Sequence, residues 1–297
     1  MSLTPTALGR PGALEGRIAL VTGGSRGIGR AIALAFAAEG ADVAISYLSS
    51  YDRDRPNPHA AFEVGRQIED HGRRSVVVDA DVGREGDVRG LVDKTLEAFG
   101  RVDVLVNNAG FAVDGVFEAM SDETIRKQFE TNVFGVMRVT RAVLPIMRAQ
   151  GGGNIVQVAS MGGRLAFPLY SIYHSTKWAV EGFTESLHYE LRPFGIQLKL
   201  IEPGAIKTDF YGRSRLAVGG DLPDYRALVD KAERVSQAPA QNGVGADVVA
   251  AAIARAAAHR GRRMRFAVGA PAPMLLTLRR LLPDTWFFNV VRRAYGL

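Results

Sequence analysis

Two residues in the stretch "PLYSIYHSTKWAVEGF", residues 168–183, carry the first suggestion of chemistry: Tyr173 and Lys177. A spacing of four puts a phenol and an ammonium side by side on one face of a helix. With a pKa of about 10, a phenol is too weak a base at neutral pH, and a neighbouring ammonium favours the phenolate and lowers that value. Such a pair is suited to moving a proton at a substrate oxygen. Aromatics and lysines at this spacing also occur where they only cover a helix surface, so the pair needs support from elsewhere in the chain. Tyr170 lies seven residues from Lys177, too far to replace Tyr173, and reads as a wall of a ligand pocket.

A second pattern provides that support. Gly23, Gly27 and Gly29 stand in "TGGSRGIG", between the β-branched run "RIALVTG" and the Ala-rich helical segment "RAIALAFAAEG", which Gly40 closes. Glycines in such a place let the backbone turn tightly and approach a pyrophosphate. The following helix N-terminus adds free N–H groups and partial positive charge. A strand before and a helix after make this a dinucleotide-binding turn.

The elements that must position these residues are legible as alternating apolar runs and helix-period segments from residue 17 to about 202. "RIALVTG", "ADVAISY", "SVVVDADV", "VDVLVNNAG", "GNIVQVAS" and "IQLKLIEPG" read as six strands, and "MRFAVG" as a late strand at the sheet edge. The nearly continuous apolar character of the runs indicates a parallel sheet covered on both faces. The expectation is a single-domain α/β fold, a doubly wound parallel sheet of Rossmann type, with ligand at the carboxyl ends of the strands. "VTGGSRGIG", "DADV", "NNAG", "VAS" and "IEPGAIKT" all stand where a strand has just ended. Residues 1–16 read as a loose arm and 17–270 as the domain, with a cleft-covering insertion at about 209–240. Residues 271–297 form an amphipathic extension.

Composition narrows the class. A 47% hydrophobic and 23% charged chain of 297 residues belongs with soluble globular proteins that bury a sizeable core. It has no cysteine, which excludes disulfides and thiolate metal sites, and no metal site is expected. No signal-like h-region or membrane-spanning run is present, so a cytoplasmic location and no membrane span are expected. The net charge of +6 is spread over scattered arginines without a nucleic-acid-binding signature, so no nucleic-acid partner is expected.

The spacing T-G-x-x-x-G-x-G differs from the ordinary Rossmann fingerprint, and here the chain resembles the classical short-chain dehydrogenase/reductase family. The resemblance rests on six motifs in order: "TGGSRGIG", "NNAG" at 107–110, Asn132 in "TNVFG", Ser160, Tyr173-x-x-x-Lys177 and "PGAIKT" at 203–208. It runs from about residue 16 to 210, more weakly beyond, and "KWAVEGFTESLHYELRPFGIQLKLIEPGAIKTDF" is similar to the steroid- and retinol-dehydrogenase branch. The resemblance implies hydride transfer between a carbinol carbon and a nicotinamide. Tyr173 would be the general acid/base, Ser160 would hydrogen-bond the substrate oxygen, and Lys177 would also hold the nicotinamide ribose. Asn132 would position a relay water.

For the cofactor, the resemblance implies contacts from Gly23, Ser25, Arg26, Gly27, Ile28 and Gly29 in the phosphate turn. Asp81 and Val82 would meet adenine, and Asn108, Ala109 and Gly110 would flank the ribose. Pro203, Gly204, Ile206 and Thr208 would face the nicotinamide, while Asn107 would knit neighbouring strands. Where the family commonly has Ala-Ser before the lysine, this chain has His174, Ser175 and Thr176. His174 is expected at a surface or interface, with a second catalytic group as the alternative.

"ISYLSS" ends the second strand without an acid to hold a ribose 2′-hydroxyl, while Asp52 and Asp54 come later, interleaved with Arg53 and Arg55. Arg26 is a cation placed for a 2′-phosphate, so NADP(H) is favoured over NAD(H). Phe167, Leu169 and Tyr170, with the apolar end of the chain, suggest a lipophilic alcohol or ketone substrate, and a homodimer or homotetramer is expected. A catalytically silent nucleotide-binding or scaffold protein on the same fold is the competing class. In 271–297, Leu275, Leu278, Leu282, Trp286, Phe287 and Val290 recur at near-helical intervals with arginine pairs between them. That segment could pack on the body or a sister subunit, wall a lipophilic pocket, or make peripheral membrane contact.

Overall fold

The computed structural model describes residues 12–52, 59–207, 215–219 and 222–297, apart from the side chains of 51, 52 and 236–242. Thr208, Arg53, Asp54, Arg55, most of the expected N-terminal arm and part of the insertion therefore lie outside the described residues, as does the side chain of Asp52.

The first half comprises β1 (Ile18–Val21), α1 (Gly27–Ala38), β2 (Asp42–Tyr47), the short α2 (Ser49–Asp52), α3 (Ala60–Asp70), β3 (Ser75–Asp79), α4 (Glu85–Phe99), β4 (Val104–Asn107), β5 (Ala112–Gly115), α5 (Asp122–Phe129) and α6 (Val136–Ala149). Then come β6 (Gly153–Val158), α7 (Ser171–Leu191), β7 (Ile196–Pro203), β8 (Ile206–Lys207), β9 (Arg215–Val218), α8 (Arg226–Asn242), β10 (Val244–Gly245), α9 (Ala246–Ala258), β11 (Arg265–Val268), α10 (Ala272–Leu281) and α11 (Asp284–Tyr295). All seven expected strands form.

They make one parallel sheet in the order β11-β7-β6-β4-β1-β2-β3. The chain winds outward from β1 through β2 to β3, then returns to β4 and winds the other way, so the order reverses between β1 and β4. A crevice at the carboxyl ends of the strands must open there.

Both faces are covered, which is why the strands read as unbroken apolar runs. On one face Ile32 and Phe36 of α1, Val64 and Ile68 of α3, and Val249 and Ile253 of α9 pack on alternate strand residues. On the other, Leu91 of α4, Val139, Val143 and Met147 of α6, and Leu187 and Leu191 of α7 do the same. Asn107 knits strands as expected, but through a helix. It and its register partner Gln157 both donate to Thr140 Oγ1 of α6, at 3.0 and 3.4 Å.

Two features were not legible beforehand. A π-helical turn, Glu130–Gly135, joins α5 to α6 and carries Asn132. The parallel pairing of β5 with β9 fastens the described part of the insertion beside the crevice, where Arg215 grips the buried carboxylate of Asp114 with Nε at 2.6 Å and Nη2 at 2.5 Å. Of the C-terminal extension, Ala272 and Leu276 of α10 and Phe287 of α11 are buried against Leu165. Trp286, one of the apolar residues at near-helical intervals, is 65% exposed, while Phe287 next to it takes the inward position.

Candidate active site

The phosphate turn is built from β1 and β4 together. Thr22 Oγ1 accepts the N–H groups of Asn108 and Ala109 at 3.0 and 3.1 Å, while Asn108 Nδ2 donates back to the carbonyls of Thr22 and Gly23 at 2.9 and 3.1 Å. Asn108 thus spends its amide on the turn. Gly23 and Gly27 have φ of 67° and 51°, in the region where glycine carries no steric cost. A Cβ on Gly29 would lie 2.0 Å from Gly23 O. Arg26 caps α1 in an extended conformation with no side-chain cap bond, and the first turn holds no acid. The leading N–H groups of α1 therefore have no side-chain partner from the cap and can take an anion. A pyrophosphate fits this cradle.

The catalytic candidates converge from β6 and α7. Ser160 follows the end of β6 in an extended conformation, its Oγ accepting Gly162 N–H at 3.0 Å. Tyr173 sits in the first turn of α7, one turn before Lys177, whose Nζ lies 5.8 Å from the Tyr173 ring centroid. Lys177 reaches back to donate to Val158 O at 2.9 Å, which ties α7 to the strand that delivers Ser160. Burial pushes the Lys177 ammonium down to about 8, against an opposing pull from Glu181.

Asn132 is buried. Its Nδ2 donates to Phe111 O at 2.8 Å and Thr176 Oγ1 at 3.2 Å, and its Oδ1 accepts Phe111 N–H at 3.1 Å. It fixes the frame of α7 one residue before Lys177. A π turn in a helix is often found at a functional site, and here it carries the buried Asn132.

Ser160, Tyr173, Lys177 and the phosphate turn face one cleft of about 1840 Å³, while Asn132 lies buried behind its wall and does not line it. Gly23, Ser25, Arg26, Gly27, Ile28 and Gly29 line one end, with Asp81, Val82, Asn108, Ala109 and Gly110 beside them. Ser160, Tyr173, Lys177, Pro203, Gly204 and Ile206 line its middle. The volume exceeds the roughly 300–1,000 Å³ of an ordinary single-ligand site, leaving room for a second molecule beside a dinucleotide. Beyond Tyr173 the wall is Phe167, Tyr170, Leu216, Leu275, Val291 and Tyr295, largely apolar.

Two expectations are corrected here. His174 is 6% exposed, not a surface residue. Its ring packs on Gly162, where a Cβ would lie 2.5 Å from Cδ2, its Nδ1 accepts Phe167 N–H at 3.3 Å, and burial pushes its pKa down to about 4. Leu169 turns away from the cleft with φ 68° and lines a separate small cavity beside Asp114.

Sequence reading also missed a buried charge cluster one turn beyond Lys177. Arg265 of β11 donates to Glu181 at 3.0 Å and to Glu185 at 3.1 Å, and Arg164 donates to the buried Glu202 of β7 at 3.2 Å. Burial, followed by the nearby Glu202 charge, pushes the Glu181 carboxyl up to about 7. Between the ordinary carboxylate range, about 4.3, and this value, the folded chain binds more protons than the unfolded one. The stability Glu181 contributes is thus complete below that range and lost as pH rises through about 7. Glu181→Gln should shrink the fall in melting temperature between pH 5 and pH 8. A fall as large as wild type would place its origin elsewhere.

Residues 17–218 match the family model described as short chain dehydrogenase. The uncharacterized oxidoreductase YusZ of Bacillus subtilis is 34% identical over 93% of this chain and 98% of its own. A 3-ketodihydrosphingosine reductase of Bacteroides thetaiotaomicron is 28% identical over 286 residues, 96% of this chain and 100% of its own, so that likeness reaches into the C-terminal extension. Among solved structures, a short chain dehydrogenase from Burkholderia cenocepacia in complex with NADP is 33% identical with a TM-score of 0.71, over 88% of this chain and 99% of that one. A short chain dehydrogenase/reductase from Burkholderia phymatum in complex with NAD is 28% identical with a TM-score of 0.75, over 91% and 93%.

Proposed function

The chain belongs to the short chain dehydrogenase family, and from that premise we propose that it interconverts a secondary alcohol and a ketone, or a primary alcohol and an aldehyde, on a lipophilic small molecule. The observation that carries this reading is the opening of Ser160, Tyr173 and Lys177 onto the same cleft as the phosphate turn. When bound, a nicotinamide dinucleotide supplies the hydride donor or acceptor. Tyr173 moves the proton at the substrate oxygen. The Lys177 ammonium favours the phenolate form of Tyr173, and Ser160 donates a hydrogen bond to the same oxygen. Asn132 keeps α7 in register through Thr176 and offers the remaining lone pair of Oδ1 to a relay water.

NADP(H) is the favoured dinucleotide. Arg26 borders the cleft at the cap of α1, and the residues closing β2, from Ser46 to Ser50, include no acid. The nearby carboxylate of Asp79 accepts Ser49 N–H at 2.9 Å. Glu63 of α3 also borders the cleft and is the group that would favour a 2′-hydroxyl instead. For the substrate, the apolar wall from α10 and α11 supports a lipophilic molecule, as does the likeness to a 3-ketodihydrosphingosine reductase.

One assay tests both choices. Reduction of a ketone series of increasing chain length should be more efficient with NADPH than with NADH. Val291→Trp should raise KM for the long ketones by roughly tenfold, about 1.4 kcal/mol, while short ones are little affected. Equal or better efficiency with NADH would overturn the cofactor choice. An unchanged chain-length profile would remove α11 from the substrate wall.

A further inference from the structure

The outward face of the C-terminal helices carries large apolar side chains that the core does not bury. Leu281, at the end of α10, is 72% exposed, and on α11 Trp286, Phe288 and Val290 are 65%, 50% and 43% exposed. Around α11, Trp286, Val290 and Arg293 stand at i, i+4 and i+7, a stripe displaced from the buried Phe287. Arg280, Arg292 and Arg293 are all exposed. From 271 to 297 the sole acid is Asp284, which is paired with Arg279. Val290 belongs both to this face and to the cleft lining, so the apolar end of the cleft meets the face along α11.

We propose that this face docks the protein on an anionic lipid bilayer, with the apolar end of the cleft opening beside the contact. Large apolar side chains flanked by arginines that have no ion-pair partner among the described residues match a surface whose headgroups are negative and whose acyl boundary is apolar. A polyanion such as DNA would leave Trp286, Val290 and Leu281 without apolar partners. A second copy related by a two-fold axis would bring the same arginines face to face. The proposal stands on this surface and does not depend on the chemistry assigned to the cleft.

The chain has two tryptophans, so Trp178→Phe leaves Trp286 as the sole indole in the otherwise unchanged 297-residue chain. With vesicles of phosphatidylcholine containing about 30% phosphatidylglycerol, this protein should sediment with the lipid and its emission should shift to shorter wavelength. Pure phosphatidylcholine vesicles should retain several-fold less. Raising salt to about 1 M, where the Debye length is roughly 3 Å, should release most of the bound protein. Adding Arg280→Glu, Arg292→Glu and Arg293→Glu together should abolish sedimentation while the melting temperature stays within a few degrees. Equal binding to neutral and anionic vesicles would overturn the proposal, as would no binding to either. So would retention on DNA without vesicle binding, or a dimer in which Trp286 emission is already blue-shifted and unresponsive to lipid.

Discussion

Tyr173→Phe is expected to lower turnover by about a thousandfold while leaving dinucleotide affinity within roughly twofold of wild type. The substitution removes one oxygen and keeps the ring, so the edge contact with Tyr170 at 6.3 Å and the ammonium of Lys177 at 5.8 Å survive. The phosphate turn is held by Thr22, Asn108 and Ala109, none of which touches the phenol in the described hydrogen bonds. Proton transfer and dinucleotide binding are therefore separable by this one change. Turnover within about tenfold of wild type, roughly 1.4 kcal/mol of barrier, would contradict the role given to Tyr173.

The converse separation comes from Gly29→Ala. The added Cβ would stand 2.0 Å from Gly23 O and 2.6 Å from Asn108 Nδ2, against the backbone and against the amide that holds the turn. Neither can yield without breaking the bonds to Thr22 and Gly23. A stability loss of about 1–3 kcal/mol is expected, with dinucleotide affinity down by roughly a hundredfold, since the N–H groups no longer converge on a pyrophosphate. Gly27→Ala is the built-in comparison. Its Cβ meets nothing within 4 Å, so its cost is that of a left-handed φ of 51° alone, about 1 kcal/mol. Calorimetry and thermal melts on both variants check this. Gly29→Ala binding as well as Gly27→Ala would show that the close approach at Gly29 is not what shapes the cradle.

What the sequence disclosed was whatever is local. Strands buried on both faces announce themselves as apolar runs, glycine-rich turns sit where a strand meets a helix, and Tyr173 and Lys177 share a face by spacing alone. What it withheld depends on contacts between distant segments. His174 was expected outside because it is one helical step from Tyr173, but the 3-10 turn Met161–Gly163 folds over that step and buries the ring against Gly162. Nothing local to Asn132 marks the π turn that joins α5 to α6. The cluster of Glu181, Glu202, Arg164 and Arg265 gathers residues from a helix, two strands and a loop, and each reads singly as a surface charge.

The arginine-rich stretch "RGRRMRF", residues 260–266, shows the same limit in another form. Its side chains read as a solvated basic surface, whereas its backbone carbonyls at Gly261 and Arg263 accept the Nζ of the buried Lys199 at 2.8 and 3.0 Å. In the extension, near-helical intervals identified α10 and α11 but not their inward faces. Those were decided by the fit of Leu276 and Phe287 against Leu165, which leaves Trp286 outside.

Isotope transfer tests the oxidoreductase reading most directly. With NADPH deuterated at both C4 positions and a panel of lipophilic ketones and aldehydes, the protein should deliver deuterium to the carbinol carbon of at least one alcohol product. The Tyr173→Phe protein, binding the same dinucleotide, should deliver almost none. Saturable dinucleotide binding by wild type with no deuterium in any product would contradict the account and leave a nucleotide-binding protein that does not turn over.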